Sequence, residues 1–153
     1  MSVLPYSDEY YMRLALQEAS YALRDDEVPV GAIVVVNNRI IGRGYNQTER
    51  LKDVTAHAEM LAITAAANYL ASKYLEECTL YVTLEPCLMC AAAMRWARIG
   101  RLVYGANDEK GGYTLIGRPV LHPKTTVTRG ILGDECGALL TEFFRGKRGG
   151  TLV

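Results

Sequence analysis

Residues 78–97 read CTLYVTLEPCLMCAAAMRWA. The first part, Cys78 to Leu84, alternates and is rich in β-forming residues, which predicts a strand. The second, Cys87 to Ala97, is rich in Ala and Met and predicts a helix. Pro86 stands near the helix start, where a missing N–H costs little. A strand running directly into a helix is a unit of an α/β fold. The junction also carries Pro-Cys-x-x-Cys. Thirty residues upstream of Cys87, Thr55-Ala56-His57-Ala58-Glu59 carries His-x-Glu, again at an expected helix start.

Outward from this junction the pattern continues. Residues 8–24 have a helical apolar period, with Ser7 as a plausible N-cap. Ile33 to Val36 is a β-branched run entered through Val28-Pro29-Val30-Gly31. Asn37-Asn38 makes a turn into a second strand, Arg39 to Tyr45, giving a hairpin. Residues 56–70 predict a helix started by Asp53 or Thr55. Arg101 to Tyr104 predicts a short strand, Thr125 to Ile131 a weaker one, and Asp134 to Phe144 a closing helix. These five strands and their alternating helices predict one mixed sheet, with a parallel portion and an antiparallel first hairpin, covered on both faces. The architecture is a three-layer α/β/α sandwich. Residues 106–124 are rich in Gly, Asp and Lys and lack periodicity, and a loop of that length is more often functional than idle.

The chain has 153 residues, half of them hydrophobic, which suits a single domain over residues 1–153 with one substantial core. Charge balances at 17 basic and 17 acidic residues. The balance hides an asymmetry: residues 1–94 carry a net −5 and residues 95–153 a net +5. A basic second half can attract a polyanion, although from charge alone an ordinary solvated surface is the plainer reading. The N-terminal residues lack a basic n-region and an apolar h-region, so no signal peptide is expected. No stretch is long and apolar enough to span a bilayer. The expected compartment is the cytoplasm, where Cys-x-x-Cys reads as metal or redox before disulfide. Cys78 and Cys136 lack such spacing and read as small buried hydrophobes.

His57, Cys87 and Cys90 offer one imidazole and two thiolates. That is three zinc ligands with a fourth position left for water, the pattern of a catalytic rather than a structural site. Cys87 and Cys90 at i and i+3 share one face of a first helical turn, where the dipole and the metal both favour thiolate. Glu59, two residues from the His, is a carboxylate placed to move protons as general base and acid. His122, the second of only two histidines, would close the catalytic position if it ligated. Taken singly, each residue has a plainer reading: a redox pair, a core histidine, a solvated helix carboxylate. Together, His-x-Glu before Pro-Cys-x-x-Cys is the signature of zinc nucleobase deaminases.

The resemblance extends beyond the signature. The chain resembles the bacterial tRNA-specific adenosine deaminases over nearly its whole length. Matching stretches include Glu27-Val28-Pro29-Val30-Gly31-Ala32, Gly44-Tyr45-Asn46, Leu80 to Cys87, Arg98-Ile99-Gly100-Arg101, Tyr104-Gly105-Ala106 with Asp108 and Lys110, Asp134-Glu135-Cys136 and Phe143-Phe144-Arg145. It implies a cytidine-deaminase-like fold, one Zn2+ per subunit, a homodimer, and the wobble adenosine of a tRNA anticodon loop as substrate, converted to inosine. It also implies that Asn46 and the Ala58 backbone hold the base, that Val28 and Leu84 wall the pocket, and that Pro86 borders it. Asp108, Lys110, Phe144 and Arg145 become candidate RNA contacts. Phe143, Lys147 and Arg148 extend that aromatic and basic surface, the combination on which single-stranded bases stack. The chain departs from the family pattern at Gly111 to Gly117 and at Trp96. Two other readings stay open: a deaminase of free guanine or cytosine, and a structural zinc module that binds RNA. The second needs a fourth protein ligand, for which Cys78, Cys136 and His122 are the available types.

Overall fold

Side-chain alternation sorts the strand residues onto two faces. Ile33, Val35, Tyr81 and Val103 bury on one side, while Ala32, Val34, Leu80, Val82, Leu102 and Tyr104 bury on the other. The structure, a computed structural model, describes residues 3–149, with side chains as far as Lys147. The side chain of Arg148 therefore lies outside the described residues. The strands are β1 (Gly31–Val36), β2 (Arg39–Tyr45), β3 (Thr79–Leu84), β4 (Arg101–Ala106) and β5 (Thr126–Arg129). They form one sheet in the order β2-β1-β3-β4-β5. β1 pairs antiparallel with both β2 and β3, while β3, β4 and β5 run parallel. Asn37 and Asn38 both take positive φ, as a two-residue hairpin turn of this kind requires.

Helix α1 (Asp8–Arg24) and helix α5 (Gly133–Gly149) pack on the Ile33/Tyr81/Val103 face. A one-turn α2 (Thr48–Leu51) follows β2. Helix α3 (Ala58–Leu70) and helix α4 (Leu88–Ala97) cover the other face with Ala58, Ala62, Ala66, Cys90, Ala91 and Met94. The mixed sheet between two helical layers is the expected α/β/α sandwich. Small residues bring α3 close to the sheet. A Cβ on Gly44 would overlap the Ala58 carbonyl, and one on Gly42 the Ala62 carbonyl.

The structure corrects several boundaries. The N-cap of α3 is His57, not Asp53 or Thr55. The Asp53 carboxylate instead accepts the Thr55 N–H and hydroxyl at 2.8 and 2.7 Å, building the turn that precedes the helix. α2 was not foreseen. It has no buried residue, so no apolar period marks it. α5 runs past Phe144, and in its last turns Lys147 pairs with Asp26 at 2.6 Å and lies over the Phe143 ring. Within 106–124, Tyr113–Ile116 forms a 3-10 turn. No helix among the described residues is long and apolar enough to cross a membrane.

Asp8 joins the layers at the far edge. Its carboxylate accepts both Arg101 guanidinium nitrogens at 2.7 Å and the Tyr81 hydroxyl at 2.9 Å. The Arg101 hydrogen bonds hold its carboxyl below the usual value of 3.8. Its stabilising contribution is therefore present above about pH 4 and disappears as pH falls through the lowered folded value. Asp8→Asn is expected to lower unfolding free energy at pH 7 by about 1.5–3 kcal/mol, the range for hydrogen bonds to a charged group. In urea titrations the gap from the wild-type chain should close as pH is lowered through 4 towards 2.

Candidate metal centre and substrate cavity

The sheet's carboxyl-end edge, where β3 and β4 release the chain, is where ligands sit in open α/β folds. Both motif pieces arrive there. His57 caps α3 and Cys87 caps α4, each with extended backbone and neither with a side-chain capping bond. Ser, Thr or Asp at such positions would add about 1 kcal/mol of helix stability. The chain places ligand atoms there instead. Cys90 lies in the first turn of α4 and is fully buried.

His57 Nδ1 lies 3.6 Å from the Cys87 sulfur and 3.5 Å from the Cys90 sulfur. Zinc bonds of about 2.0 Å to nitrogen and 2.3 Å to sulfur, at a tetrahedral angle, set those atoms about 3.5 Å apart. The three donors therefore stand at zinc spacing. They are the only such group among the described residues. Cys78 is buried at the start of β3, and Cys136 packs on the opposite face of the sheet against Gly105. His122 Nδ1 accepts the Lys124 N–H at 3.1 Å. None of the three offers a fourth ligand, so the donor set is the open, catalytic kind.

The thiols are not equivalent before metal enters. The neighbouring Cys90 thiol and His57 hold the Cys87 thiol down to about 4. The Cys87 contact and burial push the Cys90 thiol up. The Cys87 contact raises His57. Glu59 is 4% exposed and stands beside the donors without joining them. Burial pushes its carboxyl up to about 7, opposed by its own backbone N–H and by His57. A carboxyl near neutrality is suited to both taking and giving a proton.

A cavity of about 260 Å³ opens onto this centre. Val28 and Val30 line it from the approach to β1, and Asn46 and Thr48 from the exit of β2. His57, Ala58 and Glu59 enter from α3, Leu84, Glu85 and Cys87 from the β3–α4 junction, and Asp108 from beyond β4. Ligand pockets usually run about 300–1,000 Å³, so this one suits a single flat ring. Val28, Asn46, Ala58 and Leu84 thus meet as expected. Pro86 does not line the cavity. It is buried, and its carbonyl accepts the Tyr113 N–H at 2.9 Å. Lys110 is exposed beside Asp108, whose carboxylate accepts its N–H at 3.1 Å. Phe144, 44% exposed, and Arg145 lie on the last turns of α5, outside the cavity. The Lys147–Asp26 pair ties that end of α5 to the turn leading into Val28.

Sequence reasoning missed Thr48, Val30, Glu27 and Glu85. Glu27 and Glu85 are buried carboxylates, of which Glu85 lines the cavity. Glu27 accepts the Glu49 and Arg50 N–H groups at 3.1 and 2.7 Å, fixing α2. Their partners are backbone amides distant in sequence, which no local pattern reveals.

The model of the cytidine and deoxycytidylate deaminase zinc-binding region matches residues 5–106, which include all three donors and Glu59. The chain belongs to this deaminase family. Within the family, it is 47% identical over 144 residues to the tRNA-specific adenosine deaminase of Agrobacterium fabrum, covering 91% of this chain and 95% of that one. A solved structure from work on A-to-I editing by tRNA:A34 deaminases at the wobble position of transfer RNA matches with TM-score 0.80 and 46% identity. That match covers 86% of this chain and 99% of the other. A guanine deaminase from Nitrosomonas europaea matches with TM-score 0.77 and 28% identity, over 93% of this chain and 86% of that one.

The deaminase centre makes a direct prediction. Cys87→Ala should weaken zinc binding by more than about 100-fold, beyond the effect of losing a supporting contact. Elemental analysis after dialysis would show the loss against one zinc per chain in the unsubstituted protein.

Proposed function

We propose that residues 1–153 form one zinc-dependent deaminase domain that converts adenosine to inosine at the wobble position of tRNA, releasing ammonia. The observation that carries the chemistry is the three-donor cradle with buried Glu59 beside it, opening on a cavity one ring wide. The choice of tRNA draws on the relatives named for that substrate, which align along the length of the chain. The basic second half of the sequence supports the same choice.

Bound zinc supplies Lewis acidity towards the attacking water. Glu59 carries the protons: its carboxylate takes one from that water and delivers it to the ring nitrogen beside C6. Once the water oxygen has bonded to C6, Glu59 takes its remaining proton and passes it to the amino group as the C6–N bond breaks, so water is consumed and ammonia released. The Asn46 amide donates to the Val28 carbonyl at 3.3 Å, and its oxygen accepts the Thr48 N–H at 3.4 Å. Both bonds are long, so a base or ribose edge competes well for the side chain. Val28, Ala58 and Leu84 wall the ring. A base in the cavity must be unstacked, which a single-stranded anticodon loop makes easy. Asp108, Lys110, Phe144 and Arg145 contact the RNA around it.

The active unit is a homodimer in the cytoplasm. Leu88, Leu115 and Ile116 are exposed, and the α4 face continues to Trp96, which is 77% exposed. The 3-10 turn packs on α4, so these residues make an apolar surface suited to a second copy. Sedimentation should give twice the chain mass, and Leu88→Glu should shift it towards the monomer.

The decisive assay compares tRNA bearing a wobble adenosine with free guanine, cytosine and adenosine. Inosine should form in the tRNA. Product from a free base with none from tRNA would replace this reading with the nucleobase one. Glu59→Ala should cut turnover by at least about 100-fold, the scale of lost acid–base catalysis, while zinc stays stoichiometric. Loss of zinc in that variant would make Glu59 a ligand.

A further inference from the structure

Glu85 is 3% exposed, borders the cavity and stands two residues before a metal ligand. Its carboxylate does not face the donors. One oxygen accepts the Asp108 N–H at 3.0 Å. The other accepts the Thr114 N–H at 3.1 Å and the Thr114 hydroxyl at 2.7 Å. The segment it grips is also zipped to the chain on either side of Pro86. Cys87 and Gly112 form an antiparallel bridge, and the Pro86 carbonyl accepts the Tyr113 N–H. A Cβ on Gly112 would overlap the Glu85 carboxylate, although the φ of −68° at Gly112 suits any residue. The glycine at 112 is thus required by space for this carboxylate rather than by backbone conformation.

Beyond the grip, the loop carries Asp108 and Lys110. The Asp108 carboxylate accepts the Lys110 and Gly111 N–H groups, so fixing the Asp108 backbone fixes the Lys110 position too. We infer that Glu85 is a positioning residue for substrate: by clamping residues 108–114 it sets where Asp108 and Lys110 stand at the cavity mouth. It thereby governs RNA engagement rather than the chemical step. The inference rests on the tRNA reading above.

Both backbone partners are N–H donors, so an acceptor-only group is needed at each oxygen. A glutamine supplies one acceptor, and in either amide orientation one loop N–H faces an NH2 group. Glu85→Gln should therefore release one end of the loop without emptying space. Gly112→Ala should displace the same carboxylate from the other side. Thr114→Val removes only the hydroxyl bond.

The test is steady-state deamination of an anticodon stem-loop RNA by the zinc-loaded proteins, with zinc content measured in parallel. Glu85→Gln and Gly112→Ala should each raise KM about 10- to 100-fold, the scale of a buried hydrogen bond left unmade. kcat should stay within about threefold, and zinc at one per chain. Thr114→Val should raise KM by less. A fall in kcat at unchanged KM, or loss of zinc, would assign Glu85 to the metal side and overturn the inference. Unchanged KM in both Glu85→Gln and Gly112→Ala would overturn it as well. Wild-type turnover of the RNA reports separately on the tRNA reading, so the two cannot fail unnoticed together.

Discussion

His57 Nδ1 stands 3.5–3.6 Å from two cysteine sulfurs that belong to a different helix. That triangle depends on two helix N-termini converging at one sheet edge. β3 and β4 run parallel, so the chain leaving β3 enters α4 at that edge. α3 reaches the same edge by lying against β2, where Gly42 and Gly44 leave room for its carbonyls. Neither helix start is capped by its own side chain. Zinc binding, worth far more than two caps, supplies the compensation, since ligation in such sites also stabilises the fold.

The same economy of polar groups governs the cavity walls. Four of the buried polar residues, Glu27, Asn46, Glu59 and Glu85, line or brace the substrate space. Glu27 and Glu85 have their oxygens filled by backbone amides, which makes each a fixed strut for an otherwise irregular segment. Asn46 is held by long bonds, and Glu59 has its own backbone N–H and the weakly donating Cys90 thiol beside it. A buried carboxyl without firm partners titrates near neutrality, and a buried amide without short bonds can exchange them. The groups proposed to act are the weakly held ones, and the firmly held ones give them shape.

The surfaces around the mouth follow from the layer order. α1 and α5 share a layer, so the end of α5 meets the turn after α1, which leads directly to Val28. Lys147 thereby meets Asp26, two residues before the cavity-lining Val28. The departures from family pattern fall on the other layer. Trp96 and the residues of the 3-10 turn extend the exposed side of α4, next to the apolar surface proposed for self-association.

Much of the fold was legible because its signals are local. The β-branched run of β1 and the alternation of β3 marked strands, and Ser7 with the residues after it marked α1. The metal centre was legible for a chemical reason: His-x-Glu and Pro-Cys-x-x-Cys put zinc-type donors at two helix starts, and few other roles need that set. What the sequence could not supply was the partner of each distant group. Asp53 looked like a cap because its pattern is local, whereas the true cap is a ligand whose role is defined across space. Pro86 sits beside a ligand in sequence but is buried away from the cavity lining. The sequence alone determined the order of the strands and of the four longer helices, the donor types and the carboxylate proposed to carry protons. Only the tertiary structure decided which backbone amides Glu27 and Glu85 hold and which residues the cavity admits. Those contacts join segments about 20 to 30 residues apart, and hydrogen-bond geometry at that separation has no period to read.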